Sequence, residues 1–199
     1  MKQGEKTIEY YDNLSNRYVE QTIQADMLPT IEKFLYHIPK QGTILDLGCG
    51  SGRDSLYFIN QGYNVTAVDG SSAMCKLATD LIGKDVRHLT FQKLDYVESF
   101  DGVWACASLL HAAEKELPSI LKKIATSIKP NGTLYASWKY GASERTEMVT
   151  GRFFCDMTEE RIHELFSKIK SMQIVEVWTT LDVRNTGQTW INVLAKRVS

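Results

Sequence analysis

The sequence of 199 residues is short of most features that assign a chain at a glance. Its four cysteines, Cys49, Cys75, Cys106 and Cys155, form no C-x-x-C pair. That spacing argues against a zinc site and a disulfide framework, and the thiols read as reduced, as in a cytoplasmic protein. No apolar run is long enough to span a bilayer, and the opening MKQGEKTIEYYDN holds no apolar stretch of the secretory kind. Neither sign of charge prevails. Lys and Arg number 23 against 24 Asp and Glu, a formal net charge of -1, so nothing global draws the chain to nucleic acid or an anionic membrane. Repeats, low-complexity stretches and Pro/Gly/Ser-rich linkers are also missing. The expectation is one domain over residues 1–199, with a helical cap over 1–40 and a core over 41–199. With 43% hydrophobic residues, the chain has enough to fill that core.

What is present is an alternation of periods. TIEYYDNLSNRYVEQTI and LPTIEKFLYHI carry apolar residues at helical spacing, and Pro29 suits a first helical turn. TILDLG then reads as a buried strand and DSLYFINQG as a helix closed by Gly62. YNVTAVD reads as a strand, SSAMCKLATDLI as a serine-capped helix, and RHLTFQKLD and FDGVWACA as two more strands. EKELPSILKKIATSI is a helix ended by the KPNG turn, and TLYASW is a fifth strand. TEERIHELFSKI is a helix capped by Thr158. QIVEVWTTLDV and TWINVLAKR are two last strands, joined by a turn too short for a parallel return, so they pair antiparallel. The pattern predicts an α/β fold: a doubly wound, seven-stranded, mostly parallel sheet with an antiparallel C-terminal hairpin strand, plus N-terminal helices.

The stretch ILDLGCGSGRDS, residues 44–55, joins the first strand to its helix. A helix start offers unpaired N–H groups and a partial positive charge, and glycines let a ligand come close to the backbone. The spacing is D-x-G-x-G-x-G. It departs from the dinucleotide fingerprint, because Arg53 stands where the third glycine of G-x-G-x-x-G belongs. No G-K-[ST] follows, which excludes a P-loop.

LDLGCGSGRDSLYFINQGYNVTAVDGS resembles the first motif and second strand of the class I S-adenosylmethionine-dependent methyltransferases. LDYVESFDGVWACASLLHA resembles that family's third and fourth strands, and LKKIATSIKPNGTLYASW its helix, K-P-x-G turn and fifth strand. The terminal hairpin resembles its antiparallel seventh strand. YYDNLSNRY resembles an N-terminal segment of small single-domain members of the tellurite-resistance type. The resemblance runs over roughly residues 8–198. It implies S-adenosylmethionine as cofactor and no metal.

Candidate site residues follow. Asp69 closes the second strand, where a carboxylate can accept both hydroxyls of a ribose or simply cap the next helix. Asp46, in the first strand, needs partners if buried. The resemblance places it near the cofactor's amino group, against a plain structural role. Gly48 and Gly50 serve backbone approach, and Gly52 close helix packing. Arg53 opposes the dipole of its own helix, so it either grips the cofactor's carboxylate bidentately or pairs with Asp54. The resemblance gives Asp95 the adenine amino group, with Tyr96 stacking beside it. It also implies cofactor contacts from Tyr11, Gly70, Ser71, Leu94 and Ala107. His111 follows the fourth strand and is the candidate general base, since histidine titrates near neutral pH. Packing or capping is its alternative.

The acceptor side is expected between the N-terminal helix and the segment after strand five. SWKYGASERTEMVTGRFF combines Trp138, Lys139 and Tyr140 with Arg145 and Arg152, and Arg184 lies near the last turn. Aromatic and cationic side chains suit an anionic or planar acceptor, and a solvated loop is the plainer reading. Tyr10, Tyr11 and Tyr18 form a candidate lid, with Tyr10 off the apolar stripe. The leading expectation is methyl transfer to a small or medium acceptor, a small molecule first. A tRNA nucleotide or a protein side chain stays open, as does a non-catalytic cofactor-holding subunit that supports a partner enzyme. Oligomeric state is not indicated.

Overall fold

The computed structural model describes residues 3–198. Helix α1 (Gln3–Thr22) comes first, with one non-helical residue, Leu14, at φ -123° and ψ 24°. Helix α2 (Leu28–Leu35) follows, with Pro29 in its first turn. Then strands and helices alternate: β1 (Thr43–Leu47), α3 (Arg53–Asn60), β2 (Asn64–Asp69), α4 (Ser72–Ile82), β3 (Arg87–His88), β4 (Phe100–Ala105), α5 (Leu117–Ser127) and β5 (Ile128–Lys139). The short strands β6 (Glu144–Thr146) and β7 (Phe153–Cys155) precede α6 (Glu159–Ser167), β8 (Met172–Leu181) and β9 (Thr189–Arg197). The main sheet has seven strands in the order β3-β2-β1-β4-β5-β9-β8. Strands β1 to β5 run parallel, and β9 lies antiparallel to both β5 and β8.

The period-two alternation sorts each central strand onto two cores. Leu45, Val103, Leu134 and Val193 face one core with α5 and α6. Ile44, Trp104, Tyr135 and Leu194 face the other with Phe34 of α2 and Phe58 of α3. Trp104 and Tyr135 are directly opposed across β4 and β5, their rings stacked with centroids 4.1 Å apart. Such a cross-strand aromatic pair stabilises the sheet by roughly 0.5–1.5 kcal/mol beyond its burial. Ser71 caps α4 by accepting from the Met74 N–H, and Thr158 caps α6 by accepting from the Arg161 N–H.

Three expectations are corrected. The third strand was expected over RHLTFQKLD and spans only Arg87–His88. Its partner β2 offers just Val68 and Asp69 for pairing before it ends, so the chain beyond has no ladder and coils into a 3₁₀ turn at Phe91–Lys93. The fifth strand begins earlier than TLYASW, at Ile128, and takes in the KPNG bulge. The segment after it is a paired β6–β7 hairpin rather than an open loop. Among the described residues no helix is long and apolar enough to cross a membrane.

Candidate functional site: a cleft at the strand ends

The chain leaves β1 toward β2 on one side and returns to β4 on the other, so the sheet reverses direction of growth at β1. Ligands of open α/β sheets bind outside the carboxyl ends of strands at such a point. A cleft of about 360 Å³ lies there, a size that suits a nucleoside-sized ligand. Its walls are the chain after β1 (Gly48, Cys49, Gly50, Ser51, Arg53), after β2 (Asp69, Gly70, Ser71) and after β4 (Cys106, Ala107, Ser108, His111). Tyr11 and Tyr18 of α1 line it, as do Arg184 and Trp190 of the β8–β9 hairpin.

Gly48 has φ +79°, and a Cβ there would stand 2.5 Å from the Ser108 Cβ. Only glycine meets both demands. Gly52 (φ +80°) packs against α4, with a built Cβ 3.1 Å from that of Ala78. Asp69 accepts from the Gly50 N–H at 2.9 Å and the Ser71 N–H at 2.8 Å, one on each carboxylate oxygen. Burial raises its pKa, against the lowering pull of those two N–H groups. Each oxygen keeps a further lone pair. Asp46 is buried and accepts from Ser55 Oγ at 2.6 Å. Burial first, then the neighbouring Asp54, push its pKa up to about 8.

Arg53 binds Asp54 through Nε at 2.7 Å and Nη2 at 3.0 Å, and its Nη1 donates to the Thr22 carbonyl. Asp54 also accepts from Trp104 Nε1 at 2.9 Å. The guanidinium is therefore committed to its neighbour and to the end of α1 while still lining the cleft. Its pKa lies above the ordinary value: burial opposes the charge, and the Asp54 carboxylate more than restores it.

His111 has Nδ1 2.7 Å from the Phe153 carbonyl oxygen and Nε2 2.9 Å from the Tyr11 hydroxyl. A carbonyl only accepts, so Nδ1 carries the proton and Nε2 accepts from Tyr11. Burial lowers the imidazole pKa to about 4, with Arg152 and Lys139 adding to the fall. His111 is thus neutral at pH 7, which corrects the expectation of a group titrating near neutrality. Burial likewise raises the Tyr11 phenol.

Several expected site residues lie elsewhere. Asp95 is exposed and ion-paired with Arg87 at 3.3 Å, because the third strand ends at His88. Leu94 is buried in the core, with Tyr96 packed against it, Tyr96 having its ring beside Phe100. The cleft wall there is Leu89, Thr90, Phe91 and Gln92 instead. Trp138 is wholly buried in the sheet, since its place in β5 points it into the core. Tyr140 is half exposed in a bridge to Met157. Arg145 is bound to Asp156 at 2.7 Å and Arg152 to Glu147 at 3.0 Å. Both guanidinium groups, with Lys139 Nζ, lie over the Phe154 ring. Arg152 also covers the ring of Tyr10, at 4.5 Å, and so stands behind Tyr11 rather than in the cleft. The hairpin pairing of β6 with β7 holds these cations on one another's neighbours and leaves neither arginine free.

Ser108, Asp12 and Trp190 are among the residues that escaped the sequence reading, Trp190 lining the cleft from β9. Ser108 lines the cleft, only 4% exposed. Asp12 accepts from Ser71 Oγ at 2.6 Å and the Ala73 N–H at 3.1 Å, which ties α1 to the start of α4. Asp12 stands one residue after Tyr11, and its acidic type in an otherwise aromatic stripe was the available signal.

Comparison with known proteins agrees with this geometry. Residues 44–132 match the family model described as a methyltransferase domain. A Burkholderia thailandensis 1,6-didemethyltoxoflavin-N1-methyltransferase, solved with 1,6-didemethyltoxoflavin and S-adenosylhomocysteine bound, superposes with a TM-score of 0.77 at 25% identity, over 96% of this chain and 88% of that one. The cypemycin N-terminal methyltransferase of a Streptomyces species is 27% identical over 81% of this chain and 72% of its own length. The ubiquinone biosynthesis O-methyltransferase of Rickettsia typhi is 26% identical over 70% of this chain, which spans 59% of that relative. An open sheet with a ligand cleft at its switch point and an antiparallel final hairpin is a Rossmann-like architecture. Residues 44–132 carry a methyltransferase domain, and the chain is similar over most of its length to S-adenosylmethionine-dependent methyltransferases.

Proposed function

We propose that this chain, as a single methyltransferase domain over residues 1–199 working in the cytoplasm, methylates a small, planar acceptor that enters beside Tyr18, Trp190 and Arg184. The observation that carries the reading is the continuous cleft wall that runs from Asp69 and the glycine loop to the β8–β9 hairpin. When bound, S-adenosylmethionine supplies a methyl group on a sulfonium sulfur. The residues present fit that group. Asp69 has acceptor capacity for the two ribose hydroxyls, and the backbone of Gly48, Gly50 and Ala107 gives close approach. The oxygens of Asp46, Asp54 and Asp69 line the cleft as acceptors.

On the acceptor side, alignment and exclusion of water account for most of the acceleration in such a displacement. Tyr11 and His111 stand as a pair. The hydroxyl of Tyr11 is the polar atom near the acceptor, and the Nε2 lone pair of His111 fixes its direction. A proton leaving the acceptor passes to the Tyr11 oxygen as Tyr11 gives its own to Nε2. A small acceptor also accords with the heterocycle in the similar Burkholderia enzyme. A second reading, a peptide amine, draws on the likeness to the cypemycin enzyme.

Isothermal calorimetry tests the cofactor half. One S-adenosylhomocysteine per chain is expected. Absence of heat at millimolar ligand, with no shift in melting temperature, would remove the reading altogether.

A further inference from the structure

We infer that Ser108 is a cofactor-positioning residue whose hydroxyl accepts a hydrogen bond from the ammonium at the amino-acid end of S-adenosylmethionine. The inference rests on the proposed cofactor reading and adds a residue to it.

Among the described residues, Ser108 Oγ is a buried side-chain polar atom without a hydrogen-bond partner. Native proteins pair nearly all such atoms, so an orphan marks a partner still to come. Two other orphans, Thr133 Oγ1 and Trp138 Nε1, belong to β5 and do not line the cleft. Ser108 does line it. The backbone that delivers it is also unusual. Ala107 sits at φ +49°, a conformation a non-glycine residue adopts at some cost, and such strain gathers at ligand sites. The Ala107 N–H is fixed by Ser137 Oγ at 2.8 Å, and the Ser108 Cβ is seated against Gly48. The hydroxyl is thus held in place before any ligand arrives.

The strand order decides which end of the cofactor it meets. Thr90–Gln92 form the wall beyond β2, Asp69 ends β2, and Ser108 follows β4 on the far side of β1. Two strand spacings, about 10 Å, separate the end of β2 from the end of β4. With adenine toward Thr90–Gln92 and ribose at Asp69, the amino-acid tail crosses β1 and reaches Ser108. Charge selects the ammonium over the carboxylate. Asp46 and Asp54 line the cleft on the β1 side, between Asp69 and Ser108, and Arg53 is spent on Asp54.

The test compares two ligands by calorimetry on wild type and Ser108→Ala. S-adenosylhomocysteine carries the amino-acid end, and 5′-methylthioadenosine lacks it. Ser108→Ala is expected to weaken S-adenosylhomocysteine about tenfold, with 5′-methylthioadenosine unchanged within about twofold. The ligand-free variant should melt no lower than wild type, because an unpaired buried hydroxyl is being removed. Unchanged S-adenosylhomocysteine binding, equal loss for both ligands, or a lower ligand-free melting temperature each overturns the assignment. If wild type binds neither ligand, the cofactor reading itself fails.

Discussion

Asp69 is held by two N–H groups from different segments, Gly50 and Ser71, and so reaches the cleft with its geometry set. Replacing it tests the ribose assignment. Asp69→Ala is expected to raise the dissociation constant of S-adenosylhomocysteine roughly ten- to a hundredfold, the effect of losing a hydrogen bond to a charged group of about 1.5–3 kcal/mol. Calorimetry gives the constant, and circular dichroism checks that the helices survive. An unaltered constant in a folded variant would place the ribose elsewhere. Sequence spacing pointed to Asp69 because an acidic residue at the end of an apolar strand has few reasons to be there. The adenine role that the resemblance implied for Asp95 finds no support in the geometry, since Asp95 is exposed and paired with Arg87. Its strand stops at His88, for want of a paired neighbour beyond Asp69. The orphan hydroxyl of Ser108 was illegible, since a serine carries no sign in the sequence of whether its hydroxyl is paired.

At the scale of elements, α1 is strapped down at several points. Thr7 Oγ1 accepts from the Phe153 N–H at 3.0 Å, Tyr11 meets His111, Asp12 meets the start of α4, and the Thr22 carbonyl accepts from Arg53. Each strap lands on a residue in or beside the cleft wall. The helix therefore forms a roof over the cleft, and loosening a strap is expected to speed ligand exchange. Asp12→Ala removes one strap and frees the Ser71 hydroxyl in the cleft wall. The dissociation rate of S-adenosylhomocysteine, followed by stopped flow, is expected to rise about three- to tenfold, as the latch energy is that of one or two hydrogen bonds. A rate equal to wild type would show that the straps at Tyr11 and Thr7 suffice. Periodicity identified α1 and most of the sheet, because long amphipathic runs and buried strands announce themselves. It missed β6 and β7, three residues each, whose existence depends on pairing across Gly151 rather than on local pattern. That hairpin, not the sequence spacing, decides what Arg145 and Arg152 touch.

For the whole molecule, pH acts through groups buried at one place with opposite signs. Burial raises the pKa values of Asp46 and Asp69. The folded state thus holds their protons longer than the unfolded chain does, and their contribution to stability declines as pH rises above the ordinary carboxylate range. His111 acts in reverse. Its folded value of about 4 lies below the ordinary 6.5, so the unfolded chain takes up a proton first. Its contribution is whole above about pH 6.5 and is lost as pH falls toward 4. Comparing wild type with His111→Asn isolates it, since the two aspartates are common to both proteins. Urea unfolding at pH 7 and pH 4.5 should show a loss on acidification larger in wild type by on the order of 2 kcal/mol. An equal loss in both would assign the acid sensitivity to other groups.

The stacked pair beneath the cleft has an optical consequence. Indole emission responds to charge and polarity around the ring. Trp104 donates to Asp54 and stacks on Tyr135, both of which line the cleft, so one of the chain's four tryptophans stands one contact behind the cleft wall. Trp190 is in the wall itself. The molecule carries its own fluorophores at two depths: one in the wall where a ligand would lie, and a deeper one that senses a shift of Asp54 or Tyr135 above it.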